Sequence, residues 1–232
     1  MEKIKEHKKD LILFVIVFFI SIVMCGAFLQ PHYTHDTYAI INDGYKFYSY
    51  DKFLKEARPF SAIITLLADK INLQIERYMV ISFILAITFL SISVVLVYKS
   101  LRKQFTGNSK LKDILVLIIS FVIIFNYLAI EHILFLECSI FSLGILLSVI
   151  ATRIIINNEK YAYIKASIII LISVFCYQGS ISIFPMLVLT DKLLLKKDNW
   201  KNNFIGVIKI ILIYGISMLL TILFAGIIMG GS

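Results

Sequence analysis

Long apolar runs alternate with short polar segments along the chain. The first two runs, Leu11–Leu29 and Tyr78–Tyr98, each approach the roughly 20 residues that a helix needs to cross a 30 Å hydrocarbon core. Several such runs in one chain are typical of a polytopic membrane protein. The pattern predicts an all-α membrane helix bundle of about seven spans: Leu11–Leu29, Tyr78–Tyr98, Ile114–Ile130, Ile133–Thr152, Ala166–Tyr177, Ser180–Thr190 and Phe204–Met229.

The fifth and sixth spans belong to one interrupted run. Residues Ala166–Leu195 are largely apolar but contain Tyr177-Gln178-Gly179-Ser180. Polar side chains beside a glycine favour a helical hairpin over a single long helix. Irregular backbone within a membrane must be buried in protein or line a wet cavity. We therefore expect this turn to be enclosed near the outer face.

Composition and charge support a membrane location. Of the 232 residues, 59% are hydrophobic, above the roughly 45–50% of soluble domains. The net charge of +8 could suggest nucleic-acid binding, but 16 of the 23 basic residues fall in four short loops that alternate with loops poor in them. This positive-inside pattern predicts a multi-pass protein of the cell membrane. Its partner is then the lipid bilayer and not nucleic acid, its N-terminus is cytoplasmic, and Ser232 is extracytoplasmic.

A polar segment, residues 31–76, interrupts the apolar pattern. Alternation of the spans predicts that it is an extracytoplasmic loop of a single transmembrane module, 1–232, and we expect the active-site region there. Within it, apolar positions recur at helical spacing after Pro59 and predict an amphipathic helix at the outer interface: Phe60, Ile63, Ile64, Leu67 and Ile71. Such a helix either caps the bundle or shapes a groove for a lipid substrate.

Asp36 is the first candidate for chemistry. It lies seven residues past the first span, between His35 and Thr37. A carboxylate held near low dielectric and beside a histidine can act as a general base. It can equally be a helix N-cap, since a helix-compatible stretch follows it. Asp43, which precedes Gly44, is typical of a turn.

Charged residues in the second half of the loop allow two interpretations. Asp51, Lys52, Lys55 and Glu56 form a mixed-charge segment that is typical of a solvated face. Arg58 stands at the outer interface, before the amphipathic helix. Its position suits either a bidentate contact with phosphate or an ordinary lipid-headgroup contact.

Aromatic and polar residues of the outer loops are candidates for sugar binding. Five of the 12 tyrosines, Tyr38 among them, fall between residues 33 and 50. Such rings either stack on a sugar or form the aromatic belt of a membrane protein. Further along, Glu131 and His132 are predicted in a short outer turn, and Tyr177 and Gln178 in the outer hairpin turn. All four would face the same extracytoplasmic cavity, unless Glu131 and His132 are ordinary turn residues.

Glu137 is predicted within the fourth span, where a carboxylate is costly and marks a functional site by default. Elsewhere the sequence has no metal-ligand spacing, phosphate-binding glycine loop or nucleophile elbow. Cys25, Cys138 and Cys176 lie singly within apolar runs, which indicates packing roles. Since no nucleotide-binding domain is present, an enzyme built this way would need a lipid-linked donor.

Two motifs carry a family resemblance. His35-Asp36-Thr37-Tyr38 and Arg58-Pro59-Phe60-Ser61 follow a short basic N-terminus and one span, and Tyr177-Gln178 follows in the later hairpin. In these features the chain resembles, over essentially its whole length, the Gtr-type bacterial membrane glucosyltransferases. These enzymes modify O-antigen and related surface polysaccharides and belong to the GT-C superfamily. Thr37 stands where members often carry a second acidic residue, and Ala57 where they often carry glycine.

The resemblance implies a transferase that moves a sugar, glucose for this family, from a polyprenyl-phosphate donor to a surface glycan on the outer face. It implies a catalytic role for Asp36. The residues then expected to bind substrate are His35, Arg58, Tyr38, Glu131, His132, Tyr177 and Gln178. No cofactor is assigned, and a divalent cation stays open. GT-C proteins share about seven N-terminal spans before a variable remainder, so the chain also fits the N-terminal part of a longer protein.

The implied reaction is a direct, inverting displacement at the anomeric carbon. Asp36 would accept the proton of the acceptor hydroxyl, and Arg58, with His35, would neutralise the leaving lipid phosphate. A transporter or flippase of lipid-linked sugars would need the cations but no base, and would more often show paired repeats with broken helices. A non-catalytic membrane subunit would lose function on deletion of residues 60–73 but not on replacement of Asp36.

Overall fold

Helices form the regular structure of the protein. The computed structural model describes residues 2–30, 32–104, 109–195 and 200–230, and within these ranges it contains no strand. The predicted all-α class is confirmed; Pro31 and Ser232 lie outside the described residues. The α-helices are α1 Glu2–Cys25, α2 His35–Leu54, α3 Pro59–Lys70, α4 Ile75–Arg102, α5 Lys110–Ile124, α6 Tyr127–Ile133, α7 Cys138–Ile156, α8 Ala162–Cys176, α9 Ile183–Leu189 and α10 Trp200–Gly230.

Four of the helical segments in the described ranges are long and apolar enough to cross a membrane: His7–Leu29, Ile75–Arg102, Cys138–Ile156 and Asn203–Ile227. The other predicted spans correspond to shorter helices. At 1.5 Å per residue, the 15 residues of α5 and of α8 each extend about 22 Å, less than a 30 Å core. The structure thus supports a membrane protein, and the number seven stays a prediction.

Helix α7 packs between α4 and α8 through small residues. Ser82 of α4 donates to Ser139 of α7 at 3.0 Å, and the hydroxyls of Ser148 and Ser173 lie 3.0 Å apart between α7 and α8. At Gly144 a side chain would clash, since a Cβ there would lie 2.3 Å from the hydroxyl of Ser180. Small residues let helix backbones approach closely, as is usual between membrane helices.

Polar contacts join the helix ends at both ends of the bundle. At the end that we call the basic end, residues of the predicted cytoplasmic loops and their flanks pair with one another: Asp10 with Lys99, Asp113 with Arg102, and Asp191 with Gln104. At the opposite end, here called the loop end, Tyr33 donates to Glu76 at 3.3 Å and His32 contacts the carbonyl of Leu134 at 3.1 Å. The chain therefore runs repeatedly between two distinct polar ends.

Helix α3 confirms the helix predicted after Pro59, which occupies its first turn. Its small and polar side chains face the protein, whereas its large apolar side chains Ile63, Leu66 and Leu67 are exposed. Ser49 of α2 contacts Thr65 of α3 at 2.7 Å and fixes the two helices together. An apolar face directed outward suits a helix at the lipid interface.

Two element predictions near the loop end have different outcomes. The hairpin at Tyr177–Ser180 is confirmed, because α8 ends at Cys176 and a 3₁₀ turn, Gln178–Ser182, leads into α9. The tight turn at Glu131-His132 is wrong, since both residues lie within α6. The cause is Asn126, whose side chain accepts a hydrogen bond from the backbone of Ala129 and starts a new helix there.

Candidate functional site

Asp36 lies in the first turn of α2 and is not its N-cap. That role belongs to Thr34, which forms a capping box with Thr37. The backbone N–H of Thr34 donates to the Thr37 hydroxyl at 3.3 Å. The interpretation of Asp36 as a cap is therefore wrong. Its carboxylate, 19% exposed, is left for contacts across the loop end.

Gly44 bends α2 sharply enough to bring its two halves together. Its backbone angles, φ 83° and ψ 163°, lie in a region that is essentially restricted to glycine. Along a straight helix Asp36 and Lys52 would be about 24 Å apart. The Lys52 ammonium instead lies 3.5 Å from the Asp36 carboxylate. The bend confirms the turn expected at Asp43-Gly44, and it assembles the site.

Lys52 is buried at the centre of the site, with 4% of its surface exposed. Its ammonium lies 3.5 Å from Asp36, 2.8 Å from Glu56 and 3.8 Å from Glu137. The predicted solvated face is therefore wrong at Lys52, because three carboxylates compensate the burial of this cation. Together with Arg58, these residues form what we call the charge cluster.

Glu137 directly precedes α7 and is fully enclosed, with 0% of its surface exposed. Its predicted place within a span is corrected, since it is the N-cap residue of α7. Desolvation raises the pKa of its carboxyl to about 7, although Lys52 and Arg58 lower it. Neither carboxylate oxygen accepts a hydrogen bond from any residue that the structure describes. Glu137 is thus held in the cluster by ionic attraction and packing.

Arg58 is held between charges and aromatic rings. Its guanidinium donates to Glu56 at 2.7 Å and lies 3.6 Å from Glu137. The guanidinium carbon also lies 4.8 Å from the ring centre of Tyr177 and 5.3 Å from that of Phe141. Such stacking fixes the plane of a guanidinium and leaves it able to grip a planar or tetrahedral anion.

His132, Tyr177 and Gln178 line one side of the charge cluster. The His132 ring meets the Tyr177 ring edge to face at 4.6 Å. Desolvation and, to a smaller extent, the neighbouring Arg58 lower the pKa of His132 to about 4, so this imidazole is neutral at pH 7. The side-chain amide of Gln178 donates to the backbone carbonyl of Glu56 at 2.9 Å. The hairpin turn and α6 therefore meet the first loop at one place.

An apolar groove of about 640 Å³ runs between α2 and α3. No member of the charge cluster lines it, so the two are distinct features of the α2–α3 pair. Its lining is mostly aromatic and aliphatic: Asp43, Lys46, Phe47, Ser49, Tyr50, Phe53, Ala62, Ile63 and Leu66. A groove of this composition can hold a hydrocarbon chain beside the α2–α3 pair.

The charge cluster does not fit a divalent cation. Its three carboxylates are separated by Lys52 and Arg58, which already neutralise them. Across the described ranges, no group of three or more His, Cys, Asp or Glu side chains is arranged to hold a metal ion.

Comparison with known families decides the assignment. The family model of glucosyl transferase GtrII matches residues 24–230. The chain belongs to this family. No curated protein and no solved structure matches it. The GtrII match makes a glucosyltransferase the activity to be explained.

The structure places only some of the predicted site residues in the charge cluster of this GtrII protein. Asp36 and Arg58 belong to it, and His132, Tyr177 and Gln178 border it. His35, Tyr38 and Glu131 are exposed on α2 and α6. Their roles as substrate contacts stay predictions, as does the catalytic role of Asp36.

Two members of the cluster, Lys52 and Glu56, escape the prediction of site residues in this GtrII chain, because the sequence assigns them to a solvated face. Glu137 is predicted to mark a functional site from its cost within a span, but with no role or partner. One further signal lies at Ala57, where members of the family often carry glycine. Ala57 is buried and has φ 53°, a left-handed conformation that favours glycine. This turn brings the side chains of Glu56 and Arg58 together.

Proposed function

We propose that this GtrII-family protein transfers glucose from a polyprenyl-phosphate donor to a glycan acceptor on the extracytoplasmic face of the membrane. One observation carries the proposal: Asp36 lies 3.5 Å from the buried Lys52, beside the stacked Arg58. Displacement at an anomeric carbon needs a base for the incoming hydroxyl and positive charge for the departing phosphate. The charge cluster offers both within a few ångströms.

The reaction proceeds as a single displacement. The acceptor hydroxyl oxygen attacks the anomeric carbon while its proton passes to the carboxylate of Asp36. The bond between the anomeric carbon and the phosphate oxygen breaks, and its electron pair stays on the polyprenyl phosphate. Arg58 and Lys52 stabilise the charge that develops there. A single base and one displacement give inversion at the anomeric carbon.

The bordering residues hold the cations and meet the sugar. Tyr177 stacks on Arg58, and neutral His132 supports the Tyr177 ring without adding charge. His35 and Tyr38, exposed one turn apart beside Asp36, are assigned to the acceptor side together with Glu131. Aromatic and amide side chains of this kind bind sugars by stacking and by hydrogen bonds to hydroxyls.

The apolar groove supports a lipid-linked donor. It lies against the same α2–α3 pair that carries Lys52 and Arg58, and its rim includes the exposed Ile63 of α3. A polyprenyl chain in this groove would keep its phosphate within reach of the turn at Arg58. This is the sharper of the two roles expected for the interfacial helix.

We further propose a GT-C-like arrangement of seven passes with a cytoplasmic N-terminus. The basic end collects the Lys- and Arg-rich loops, and the loop end collects residues 32–76 and α6. Excess Lys and Arg on one side is the feature that orients membrane proteins. The charge cluster, at the loop end, then faces outward.

The test uses membranes that carry the protein and a radiolabelled polyprenyl-phosphate glucose. A positioned base contributes about 10²–10⁴ in rate, so we expect Asp36→Asn to lower transfer of label to glycan at least a hundredfold. Asp51→Asn is the matched control and should keep full activity. It removes a carboxylate whose ion pair is with the exposed Lys55. Full transfer by Asp36→Asn would exclude Asp36 as the base.

The same assay separates the alternatives. Label that crosses the bilayer still attached to its lipid, in wild type and Asp36→Asn alike, would indicate a flippase. A wild-type protein that neither transfers nor moves label, while Asp36→Asn keeps its cellular effect, would indicate a non-catalytic subunit.

A further inference from the structure

The charge cluster already contains an anion that bridges the two phosphate-binding cations. One carboxylate oxygen of Glu56 lies 2.8 Å from the Lys52 ammonium, and the other lies 2.7 Å from the Arg58 guanidinium. Two oxygens of one anion between an ammonium and a guanidinium form the arrangement that a phosphate group adopts with these side chains. We propose that Glu56 competes with the donor phosphate for Lys52 and Arg58 and must swing away for the donor to bind. The proposal rests on the function proposed above.

Glu56 can leave without stranding the cations. Its side chain is 35% exposed, whereas Glu137, beneath the same two cations, is fully buried. After departure of Glu56, Lys52 keeps Asp36 and Glu137 as partners, and Arg58 keeps Glu137. A buried cation is strongly destabilised when it is left with no compensating charge, and each of these cations keeps a carboxylate beside it. Glu56 is therefore the exchangeable carboxylate, whereas Glu137 is fixed in place by its burial.

The movement is confined to the Glu56 side chain, because the backbone around it is fixed. The carbonyl of Glu56 accepts from the Gln178 amide at 2.9 Å. The N–H of Arg58 donates to the carbonyl of Lys52 at 3.0 Å, closing the turn through Ala57. A rotation of the Glu56 side chain would thus uncover both cations while they keep their positions.

Replacing the Glu56 carboxylate by the donor phosphate leaves the negative charge beside the two cations unchanged, whereas replacing it by the product phosphate does not. A polyprenyl-phosphate sugar is a phosphodiester with one negative charge, the same as the carboxylate that it replaces. The polyprenyl phosphate released by the reaction is a monoester and carries up to two charges, as phosphate monoesters do near neutral pH. A carboxylate that returns to Lys52 and Arg58 would compete with this product and favour its release. Glu56 is thus a positioning residue that sets donor affinity and product release.

The test measures binding of decaprenyl phosphate and of its glucose ester to the purified full chain in detergent. Removing the competing charge in Glu56→Gln should tighten both complexes by about tenfold, equivalent to about 1.4 kcal/mol. The control Asp51→Asn removes a carboxylate that lies earlier in α2 and pairs with Lys55. Its affinity for both lipids should stay within about twofold of wild type, which bounds the effect of removing one negative charge at a distance from the two cations. In transfer assays Glu56→Gln should lower the KM for the donor without raising kcat.

Two results would overturn the proposal: unchanged or weaker binding by Glu56→Gln, or equal tightening by Asp51→Asn. Should Glu56→Gln fail to fold, Glu56→Asp serves instead, since its shorter side chain cannot reach both cations; unchanged affinity in that variant contradicts the competition. The proposed function is judged separately by glucose transfer. Transfer without tighter binding by the variant refutes only the competition, and tighter binding without transfer refutes only the reaction.

Discussion

At the charge cluster, the requirements of activity and of folding stability conflict at single side chains. Two cations and three carboxylates share one site, and Glu137 is the member most deprived of water. Its pKa, raised to about 7, means that folding disfavours its ionised form despite Lys52 and Arg58. A carboxylate that lowers the stability of the fold in this way is expected where it positions functional cations. Its removal should therefore raise stability and lower activity.

Replacement of Glu137 by glutamine should separate stability from activity. The folded-state pKa of about 7 exceeds the ordinary 4.5, so the folded protein binds more protons between these values and its free energy of unfolding falls as pH rises. Glu137→Gln does not lose stability in this way, because glutamine does not ionise. We expect it to equal wild type near pH 4.5, to be more stable at pH 8 by roughly 3 kcal/mol, and to transfer less glucose.

Unfolding temperatures in detergent from pH 4 to 8 would provide the measurement for Glu137. The exposed Glu131→Gln, on the neighbouring α6, should follow wild type at every pH. A Glu137→Gln protein less stable than wild type at pH 8 would contradict the argument, because it would mean that the ionised carboxylate stabilises the fold.

His132 should produce a pH dependence of the opposite sign. Its pKa falls from the ordinary 6.5 to about 4 in the folded protein, mainly through desolvation. Its contribution to the free energy of unfolding is therefore complete above pH 6.5 and is lost as pH falls through 4. His132→Asn should lose less stability than wild type over this interval. The exposed His35→Asn is the control, and a parallel decline of His132→Asn and wild type would contradict the expectation.

At the residue scale, the sequence identified chemically active residues more reliably than it predicted which side chains are buried. Lys52 and Lys55 stand three positions apart in one mixed-charge segment, yet the side chain of Lys55 is 65% exposed and that of Lys52 is buried. The difference comes from Glu137, which the fold brings to Lys52 from far along the chain. No local pattern contains that contact. Asp36 and Arg58 were found because their own short motifs single them out.

At the scale of elements, short-range signals were reliable. Pro59 and the apolar spacing after it predicted α3, and the polar residues at Tyr177–Ser180 predicted the break between α8 and α9. Helix α6 was missed because its cap, Asn126, stands inside an apolar run and signals a helix start only after the preceding helix has ended. The bend at Gly44 was expected as a turn, but its consequence depends on how far it folds α2 back.

Gly44→Ala should dismantle the site while leaving the helices of the bundle in place. A non-glycine residue at φ 83° and ψ 163° costs about 1–3 kcal/mol, and a straighter α2 would remove Lys52 from Asp36. We expect transfer to fall at least tenfold with little change in helix content by circular dichroism. Gly226→Ala, in α10, where a Cβ meets no atom within 4 Å, is the control. Wild-type transfer by Gly44→Ala would show that the bend is dispensable.

At the scale of the whole molecule, the direction of neighbouring helices constrains the number of passes. Helices α4 and α7 run parallel, since Ser82 contacts Ser139 near the start of both, and Val97 and Val149 line one cavity further along. The chain between two parallel neighbours must return across the bundle, so α5 with α6 carries it back despite their shortness. This supports seven passes over a count based on the four long helices alone.

Cysteine labelling in intact cells would test that arrangement. Leu134, whose carbonyl contacts His32, precedes α7 at the loop end, and Tyr161 precedes α8 at the opposite end; both side chains are exposed. With α5 and α6 crossing, a membrane-impermeant maleimide should label Leu134→Cys in intact cells but Tyr161→Cys only after permeabilisation. The native Cys25, Cys138 and Cys176 are buried and provide a low background. Labelling of both variants from outside would show that α7 does not cross the membrane. That result would also contradict the outward orientation of the charge cluster, which extracytoplasmic transfer requires.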